Sequence, residues 1–148
     1  MLEIKVKKLH EDAILPTKVN DKDSGWDVVA IDDGIEVFDD YGSLLYIEYT
    51  TGLSIEPPDG YDIKVFPRSS ISNYSLMLAN GVGVCDQLYR GPYKLRFKVI
   101  HPLPKKVYKK GDKIGQLILQ KREAAKITEV IELTGTSRGS GGFGSTGN

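Results

Sequence analysis

Short runs in which apolar and polar residues alternate dominate the chain, and they predict β-strands. Eight such runs are separated by turn-forming residues, and Ile55 stands before the turn 57–60, Pro-Pro-Asp-Gly, which is a strong break. Runs at spacings of roughly ten residues are typical of an all-β barrel or sandwich. The runs that are alternating, β-rich or apolar cover 4–7, 26–31, 35–38, 44–49, 61–66, 95–99, 114–119 and 127–133.

The pattern contains one candidate helix, from Ser69 to about Ser75. A serine at position 69 or 70 has the side chain needed to cap a helix N-terminus. No internal repeat, linker or second domain interrupts the strands, and 148 residues are enough for one domain with a substantial core. The expected fold is therefore all-β with one short helix.

The composition excludes several function classes. Apolar residues make up 40% of the chain and charged residues 27%, as in globular proteins. Lys plus Arg and Asp plus Glu are equal at 20 each, which argues against a general nucleic-acid or membrane-surface binder. The sequence has no apolar run that would span a bilayer and no signal-peptide core near residue 1. We therefore expect a soluble protein with no nucleic-acid partner and no membrane partner.

Cysteine and histidine usage supports the same expectation. Cys85 is the single cysteine, so no internal disulfide is expected and a reducing cytoplasm is the expected location. His10 and His101 are too few and too isolated for a histidine-based metal site.

Residues 138–148, Arg-Gly-Ser-Gly-Gly-Phe-Gly-Ser-Thr-Gly-Asn, carry no apolar period and predict a mobile arm. Its glycines allow backbone N–H groups to curl around an anion, while its hydroxyls and Arg138 add donors. Phe143 adds a flat apolar face, so the arm suits a polyphosphate that carries a flat base. The dinucleotide fingerprint needs a following helix and a P-loop needs a lysine, and neither is present here. The alternative is a disordered Gly/Ser tail.

Residues 80–91, Asn-Gly-Val-Gly-Val-Cys-Asp-Gln-Leu-Tyr-Arg-Gly, form the second informative segment. Small apolar residues precede Asp86, which places it where a strand leaves the core and where a carboxylate can act as a general base on water. Tyr89 is then suited to pack against a sugar. The alternative is an Asp-initiated turn with a structural tyrosine.

Three further segments are weaker on their own. Residues 67–70, Pro-Arg-Ser-Ser, offer anion donors before the candidate helix, or else a plain N-cap with a surface arginine. Residues 24–27, Ser-Gly-Trp-Asp, open a strand with a carboxylate that suits a hydrated Mg²⁺, or else form a turn before a core tryptophan. In residues 111–119, Gln116 interrupts an apolar run and needs partners if it is buried, or else it sits at a hairpin corner.

Taken in order, these five segments resemble the five motifs of the trimeric dUTPase (deoxyuridine triphosphatase) family, from about Ser24 to the last residue. The resemblance implies a jelly-roll-like β-barrel over 1–134 and a flexible C-terminal arm over 135–148 that closes over the active site. It also implies hydrolysis of dUTP to dUMP and pyrophosphate with Mg²⁺ as cofactor. Three subunits of a homotrimer would build each of three shared sites.

The resemblance also implies a role for each motif residue. Asp86 would activate the attacking water, and Asp27 would hold a water bound to Mg²⁺. Tyr89 would stack on the deoxyribose, and Gln116 would contact the α-phosphate. The remaining implied substrate-binding residues are Arg68, Ser69 and Ser70 for phosphates, Asn80, Gly83, Val84 and Cys85 for uracil, Arg138 for the γ-phosphate, Phe143 over the uracil, and Gly144, Ser145 and Thr146 for phosphate oxygens.

The sequence departs from the family pattern at several positions, and none of these changes removes a catalytic group. Ser70 stands where glycine is usual, Cys85 where isoleucine is usual, Lys113 for arginine and Gly115 for alanine, while Ile71-Ser72 replaces Leu-Ala. Three rival functions remain open. One is a dCTP deaminase of the same fold, and another is a dUTPase-like binding or regulatory protein. The third is a plain interaction module with a disordered tail.

Overall fold

The computed structural model describes residues 1–100 and 106–142, which form ten β-strands and one short 3₁₀ helix, Ser69–Asn73. The strands are β1 (Lys5–Lys8), β2 (Trp26–Val29), β3 (Ile35–Phe38), β4 (Leu44–Thr50), β5 (Leu53–Glu56), β6 (Tyr61–Phe66), β7 (Leu76–Leu78), β8 (Gly83–Cys85), β9 (Lys94–Val99) and β10 (Lys113–Lys121).

The strands form two four-stranded antiparallel sheets and one two-stranded ribbon. One sheet has the order β2-β10-β6-β8, and the other has the order β3-β4-β9-β7. Strands β1 and β5 form the ribbon. Most neighbours in both sheets are distant in sequence, so long connections cross between the sheets, as the predicted jelly-roll-like fold requires.

Alternating side chains from both sheets meet in one continuous core. On β9, Leu95 and Phe97 are buried while Lys94, Arg96 and Lys98 are exposed. The core also contains Ile47 and Tyr49 from β4, Ile63 and Val65 from β6, and Ile114 and Leu117 from β10. The period of two seen in the sequence therefore corresponds to one face of each strand packing inward.

Three aromatic rings lie at the centre of this core. Tyr49 packs edge-on against Phe97 and Tyr108, with ring centroids 5.8 Å and 6.0 Å apart. The Tyr49 hydroxyl donates to the Tyr108 carbonyl at 3.1 Å, so the loop before β10 is attached to β4. This contact helps to fix β10, the strand that lies between β2 and β6.

The all-β prediction is confirmed, and two details of it were wrong. Residues 127–133 form no strand, and Ile127, Ile131 and Leu133 are largely exposed. Alternation alone does not make a strand, because a strand needs a partner for its backbone hydrogen bonds, and 127–133 have none among residues 1–100 and 106–142. The short helix is 3₁₀, and its N-cap is Arg68 without a side-chain cap, so the serine-cap prediction was also wrong.

Within the described ranges, no helix is both long enough and apolar enough to cross a bilayer.

Candidate active site

A cavity of about 490 Å³ opens between the free edge of β8 and the β7–β9 end of the opposite sheet, and we call it the edge cavity. Val65 and Leu95 form part of its apolar wall, whereas Lys94 and Arg96 add charge on the β9 side. The sequence-predicted residues that line it are Asn80, Gly83, Val84, Cys85, Asp86 and Tyr89.

Strand β8 presents backbone groups to the edge cavity. Among residues 1–100 and 106–142 it pairs with β6 alone, with Val84 opposite Lys64, and it lies at the end of its sheet. An edge strand leaves a row of N–H and C=O groups without ladder partners. Gly83 allows the close approach to β6, because a Cβ there would lie 3.0 Å from the Cβ of Val65. The edge of β8 can therefore read the hydrogen-bonding edge of a flat ligand.

Asp86 directly follows β8 and is exposed at the rim of the edge cavity. No group in residues 1–100 or 106–142 donates a hydrogen bond to its carboxylate, so both oxygens are available to a water or a ligand. The backbone turns after it, with the N–H of Tyr89 donating to the Asp86 carbonyl at 2.9 Å. The Tyr89 hydroxyl donates to the Pro92 carbonyl at 3.0 Å, which fixes the ring at the rim.

Tyr93 is a neighbour of both Tyr89 and Cys85 in the wall of the edge cavity. The rings of Tyr89 and Tyr93 have centroids 5.9 Å apart. Burial raises the pKa of both the Tyr93 hydroxyl and the Cys85 thiol, so both are protonated at neutral pH. The Tyr93 hydroxyl has no hydrogen-bond partner among the described residues. The Cys85 thiol is close to it and helps to raise its pKa, but the thiol is a weak hydrogen-bonding group.

A second group of predicted residues lies where β2 and β10 pair, and we call Asp27, Arg68, Ser70 and Lys113 the charged cluster. Arg68 Nε is 2.9 Å from Asp27 Oδ1, and Lys113 Nζ is 2.8 Å from Asp27 Oδ2. Arg68 also donates to Ser70 Oγ at 3.4 Å, so the serine that replaces the usual glycine contacts the arginine. Two cations around one carboxylate leave an excess positive charge, which suits a phosphate chain.

Gln116 and Ser69 lie beside the charged cluster. Gln116 pairs with Asp27 on one side and with Phe66 on the other, so β10 places it between β2 and β6. Its side chain is partly buried and lies over Gly25, where a Cβ would come within 2.7 Å of Gln116 Oε1. Ser69 is exposed at the start of the 3₁₀ helix that follows Arg68.

The structure therefore gathers the predicted residues into two groups rather than one. Among the described residues, no member of the charged cluster lines the edge cavity, and neither Ser69 nor Gln116 does so. Arg138 belongs to neither group, because its guanidinium donates to the Gly141 carbonyl of its own segment at 2.9 Å. The remaining predicted residues, Phe143, Gly144, Ser145 and Thr146, lie outside the described residues.

The sequence analysis did not assign a role to several residues at these two groups. Lys113 appeared only as a departure from the family pattern, yet it supplies half of the charge around Asp27. Tyr46, Tyr93 and Arg96 line the edge cavity, and the Arg96 guanidinium lies 4.6 Å from the centroid of the Tyr46 ring. Tyr46 lies on β4, whereas Tyr93 immediately precedes β9 and Arg96 lies on it, and no local pattern indicated that these two segments would meet.

The described residues contain no group of three or more His, Cys, Asp or Glu side chains that would hold a metal ion directly. Asp27 has both oxygens paired with cations, so it fits an outer contact to the water shell of Mg²⁺ better than a direct bond. Mg²⁺ keeps several waters and commonly binds through substrate phosphates, which is compatible with this arrangement.

A protein-family model described as dUTPase matches residues 11–147 of this chain. The chain is 37% identical over 149 residues to the deoxyuridine 5'-triphosphate nucleotidohydrolase of Helicobacter pylori, covering 99% of this chain and 97% of that protein. It is 35% identical over 149 residues to the protein of the same name from Paramecium bursaria Chlorella virus 1, covering 99% of each.

Solved structures show the same fold. The dUTPase of Staphylococcus bacteriophage 80alpha, solved with dUpNHpp, superposes with a TM-score of 0.81 at 22% identity and covers 99% of each chain. A mutant dUTPase from phage phi11 of S. aureus, in which a structural Mg(II) ion is coordinated, gives a TM-score of 0.71 at 19% identity over 90% of this chain and 99% of that chain.

Proposed function

Because this chain belongs to the dUTPase family, we propose that it hydrolyses dUTP to dUMP and pyrophosphate, with Mg²⁺ as cofactor. The relatives that match nearly the whole chain are named deoxyuridine 5'-triphosphate nucleotidohydrolases, which supports this activity. The observation that carries the proposal is the edge cavity, which combines a free strand edge for a base with the accessible Asp86 carboxylate at its rim.

In the proposed complex, Asn80 and the backbone of 83–85 form hydrogen bonds with the edge of uracil. Uracil and cytosine differ in the donor and acceptor pattern of one edge, and backbone groups at a fixed strand edge accept only one pattern. A mispaired base leaves buried polar groups unsatisfied, at about 1–3 kcal/mol each. Tyr89 packs on the deoxyribose and leaves no room for a 2′-hydroxyl, which excludes UTP.

Asp86 acts as the general base. It takes a proton from a water molecule while the water oxygen attacks the α-phosphorus, and the bond from that phosphorus to the bridging oxygen of the leaving pyrophosphate breaks. Gln116 contacts the α-phosphate, and Arg68, with Ser69 and Ser70, holds the phosphate chain as negative charge develops on the leaving group. When bound, Mg²⁺ would supply further charge neutralisation, and Asp27 would hold one of its waters.

A homotrimer with shared sites accounts for the separation of the two groups of residues. A nucleoside triphosphate needs the base-reading edge and the phosphate-binding cations at one site. In a single chain the charged cluster does not line the edge cavity. We propose that the edge cavity of one subunit faces the charged cluster of another, and that a third subunit supplies the arm.

The arm, 135–148, is proposed to close over bound nucleotide outside the domain 1–134. Arg138 would release its contact with the Gly141 carbonyl and bind the γ-phosphate, while Phe143 covers the uracil and Gly144, Ser145 and Thr146 bind phosphate oxygens. Deleting 138–148 is expected to abolish turnover, because the phosphates would lose the contacts of the arm and the site would stay open to bulk water. The melting temperature should not change. Full activity of the truncated protein would refute the role of the arm.

Product analysis tests the function directly. The purified protein is incubated with Mg²⁺ and dUTP, dCTP, dTTP or UTP in separate reactions, and nucleotides, pyrophosphate and ammonia are measured. Release of dUMP and pyrophosphate from dUTP alone is the expected result. Ammonia from dCTP would identify a deaminase, and absence of any product would indicate a binding or regulatory protein.

A further inference from the structure

Gln87, the residue that follows Asp86, is held at all four of its polar groups. Its backbone N–H donates to Asp62 Oδ1 at 3.2 Å, and its carbonyl accepts from the Arg90 guanidinium at 2.5 Å. Its side-chain Nε2 donates to Asp59 Oδ1 at 2.8 Å, and its Oε1 accepts from the Arg122 guanidinium at 2.7 Å. These four hydrogen bonds hold both the backbone and the side chain of Gln87, so its position is strongly constrained.

Three of the four partners of Gln87, Asp59, Asp62 and Arg122, lie at least 25 positions away in sequence, which makes the arrangement rigid. Asp62 is the second residue of β6, and its side chain is only 14% exposed. Its carboxylate also lies 3.9 Å from Lys64 Nζ and 3.6 Å from Arg122 Nη1. The backbone N–H of Arg122, just beyond β10, donates to the Gly60 carbonyl at 2.8 Å. The ends of two paired strands therefore hold the residue next to Asp86.

Asp86 has no such support of its own. Within the part of the chain that the structure describes, nothing donates to its carboxylate, so its placement depends on the backbone on either side. On one side Cys85 is held in the ladder of β8, opposite Ile63. On the other side the backbone is held through Gln87 and through the turn to Tyr89.

We infer that Gln87, Asp62 and Arg122 are positioning residues for Asp86, holding the carboxylate in line with the attacking water. This inference rests on the proposed function, because it assigns Asp86 the role of general base. The physical reason is that proton transfer depends steeply on geometry, and a displacement of about 1 Å can cost on the order of 100-fold in rate. A freely turning Gln87 would allow such a displacement.

Steady-state kinetics with dUTP and Mg²⁺ on the full chain test the inference. Arg122→Met removes the guanidinium but keeps an apolar stem, and Gln87→Ala removes both side-chain bonds of the glutamine. We expect kcat to fall about 10-fold or more in each variant with little change in KM, because ground-state binding does not use Asp86. Lys121→Met is the matched control, since its side chain is 67% exposed and pairs only with Glu123 at 3.6 Å among the described residues.

A second comparison separates positioning from general structural damage. In an Asp86→Asn background there is no base left to position, so adding Arg122→Met is expected to change the residual rate by less than about 2-fold. A further loss as large as that in the wild-type background would overturn the inference, and so would an unchanged kcat in both single variants. If Arg122→Met does not fold, Gln87→Ala is measured alone and in the Asp86→Asn background, and the same two outcomes test the inference.

Different experimental outcomes refute the proposed function and this inference. Wild-type protein that releases no dUMP refutes the function, whereas active wild-type protein with an unaffected Gln87→Ala variant refutes only the positioning role.

Discussion

The edge cavity is shaped mainly by backbone and packed side chains, whereas the charged cluster consists of polar and charged side chains. The edge cavity depends on the backbone of β8 and on tightly packed neighbours such as Val65 and Leu95, so strand register determines its shape. The charged cluster depends on side chains, with Arg68 and Lys113 about one-third exposed around a largely buried Asp27. A cavity of the first kind discriminates between ligand shapes, while a cluster of the second kind attracts charge with less geometric demand.

This difference predicts how each region responds to substitution. Changes at the edge cavity should affect selectivity and the chemical step, since geometry decides both. Changes at the charged cluster should mainly weaken phosphate binding, since a second cation remains when one is removed.

The largest effect is expected from Asp86→Asn, which removes the proposed base. A general base contributes on the order of 10²–10⁴-fold, so kcat should fall by that range while a non-hydrolysable dUTP analogue still binds in calorimetry. The matched control is Asp40→Asn, an exposed carboxylate far along the chain from Asp86. An unchanged kcat in Asp86→Asn would remove this residue from the mechanism.

Mixing two variants, each assayed at a dUTP concentration at which it alone turns over little, tests whether the two regions of different subunits meet. Asp86→Asn and Arg68→Ala are unfolded together at equal amounts and refolded. If each site takes Asp86 from one subunit and Arg68 from another, random assembly leaves about a quarter of the sites intact. Activity should therefore return towards that fraction in the mixture. Continued inactivity of a properly assembled mixture would contradict sites shared in this way.

A smaller effect, on stability, is expected at the strand that joins the two regions. Gly115 lies on β10, and a Cβ there would lie 2.6 Å from Leu95 Cδ2 and 3.1 Å from the Phe66 carbonyl oxygen. Gly115→Ala, which restores the usual family residue, should therefore cost about 1–3 kcal/mol of unfolding free energy through overpacking. Urea denaturation measures this cost.

Two companion variants make the overpacking explanation specific. Leu95→Val removes the contacting methyl, so the double variant should lose less stability than the sum of the two single variants. Gly135→Ala serves as control, because nothing lies within 4 Å of its added Cβ. Equal losses in Gly115→Ala and Gly135→Ala would point away from Leu95.

The smallest effect is expected at Glu48, whose partners Lys94 and Arg96 line the edge cavity. Burial acts to raise the pKa of Glu48, but hydrogen bonds from Lys94 and Arg96 bring it below its ordinary value of 4.5. A lowered pKa in the folded state stabilises the fold above the unfolded value, and this contribution is lost as pH falls through the folded value.

Glu48→Gln should accordingly lower stability by about 1 kcal/mol at pH 7, and the difference from wild type should shrink as pH falls below 4.5. Thermal unfolding at a series of pH values measures it. A constant difference down to pH 2 would mean that the carboxylate charge does not matter.

The sequence predicted much of the sheet, because alternation along a strand is a local property. Strands such as β6 and β9 begin and end within one residue of the runs 61–66 and 95–99. The pattern was wrong at 127–133, since pairing partners decide whether an alternating run becomes a strand, and it did not indicate β7. The motif residues could be named from their order, whereas their grouping into two separate regions could not.

The sequence by itself determined the family and most of the strand-forming segments, and it predicted the candidate site residues. Only the tertiary structure decided which of them meet, because contacts between strands depend on register and on loop closure over long separations. Gln87 illustrates this: its partners Asp62 and Arg122 lie 25 and 35 positions away, and no local pattern links them. The same physical reason explains why Asp27 and Gln116 lie side by side although most of the chain separates them.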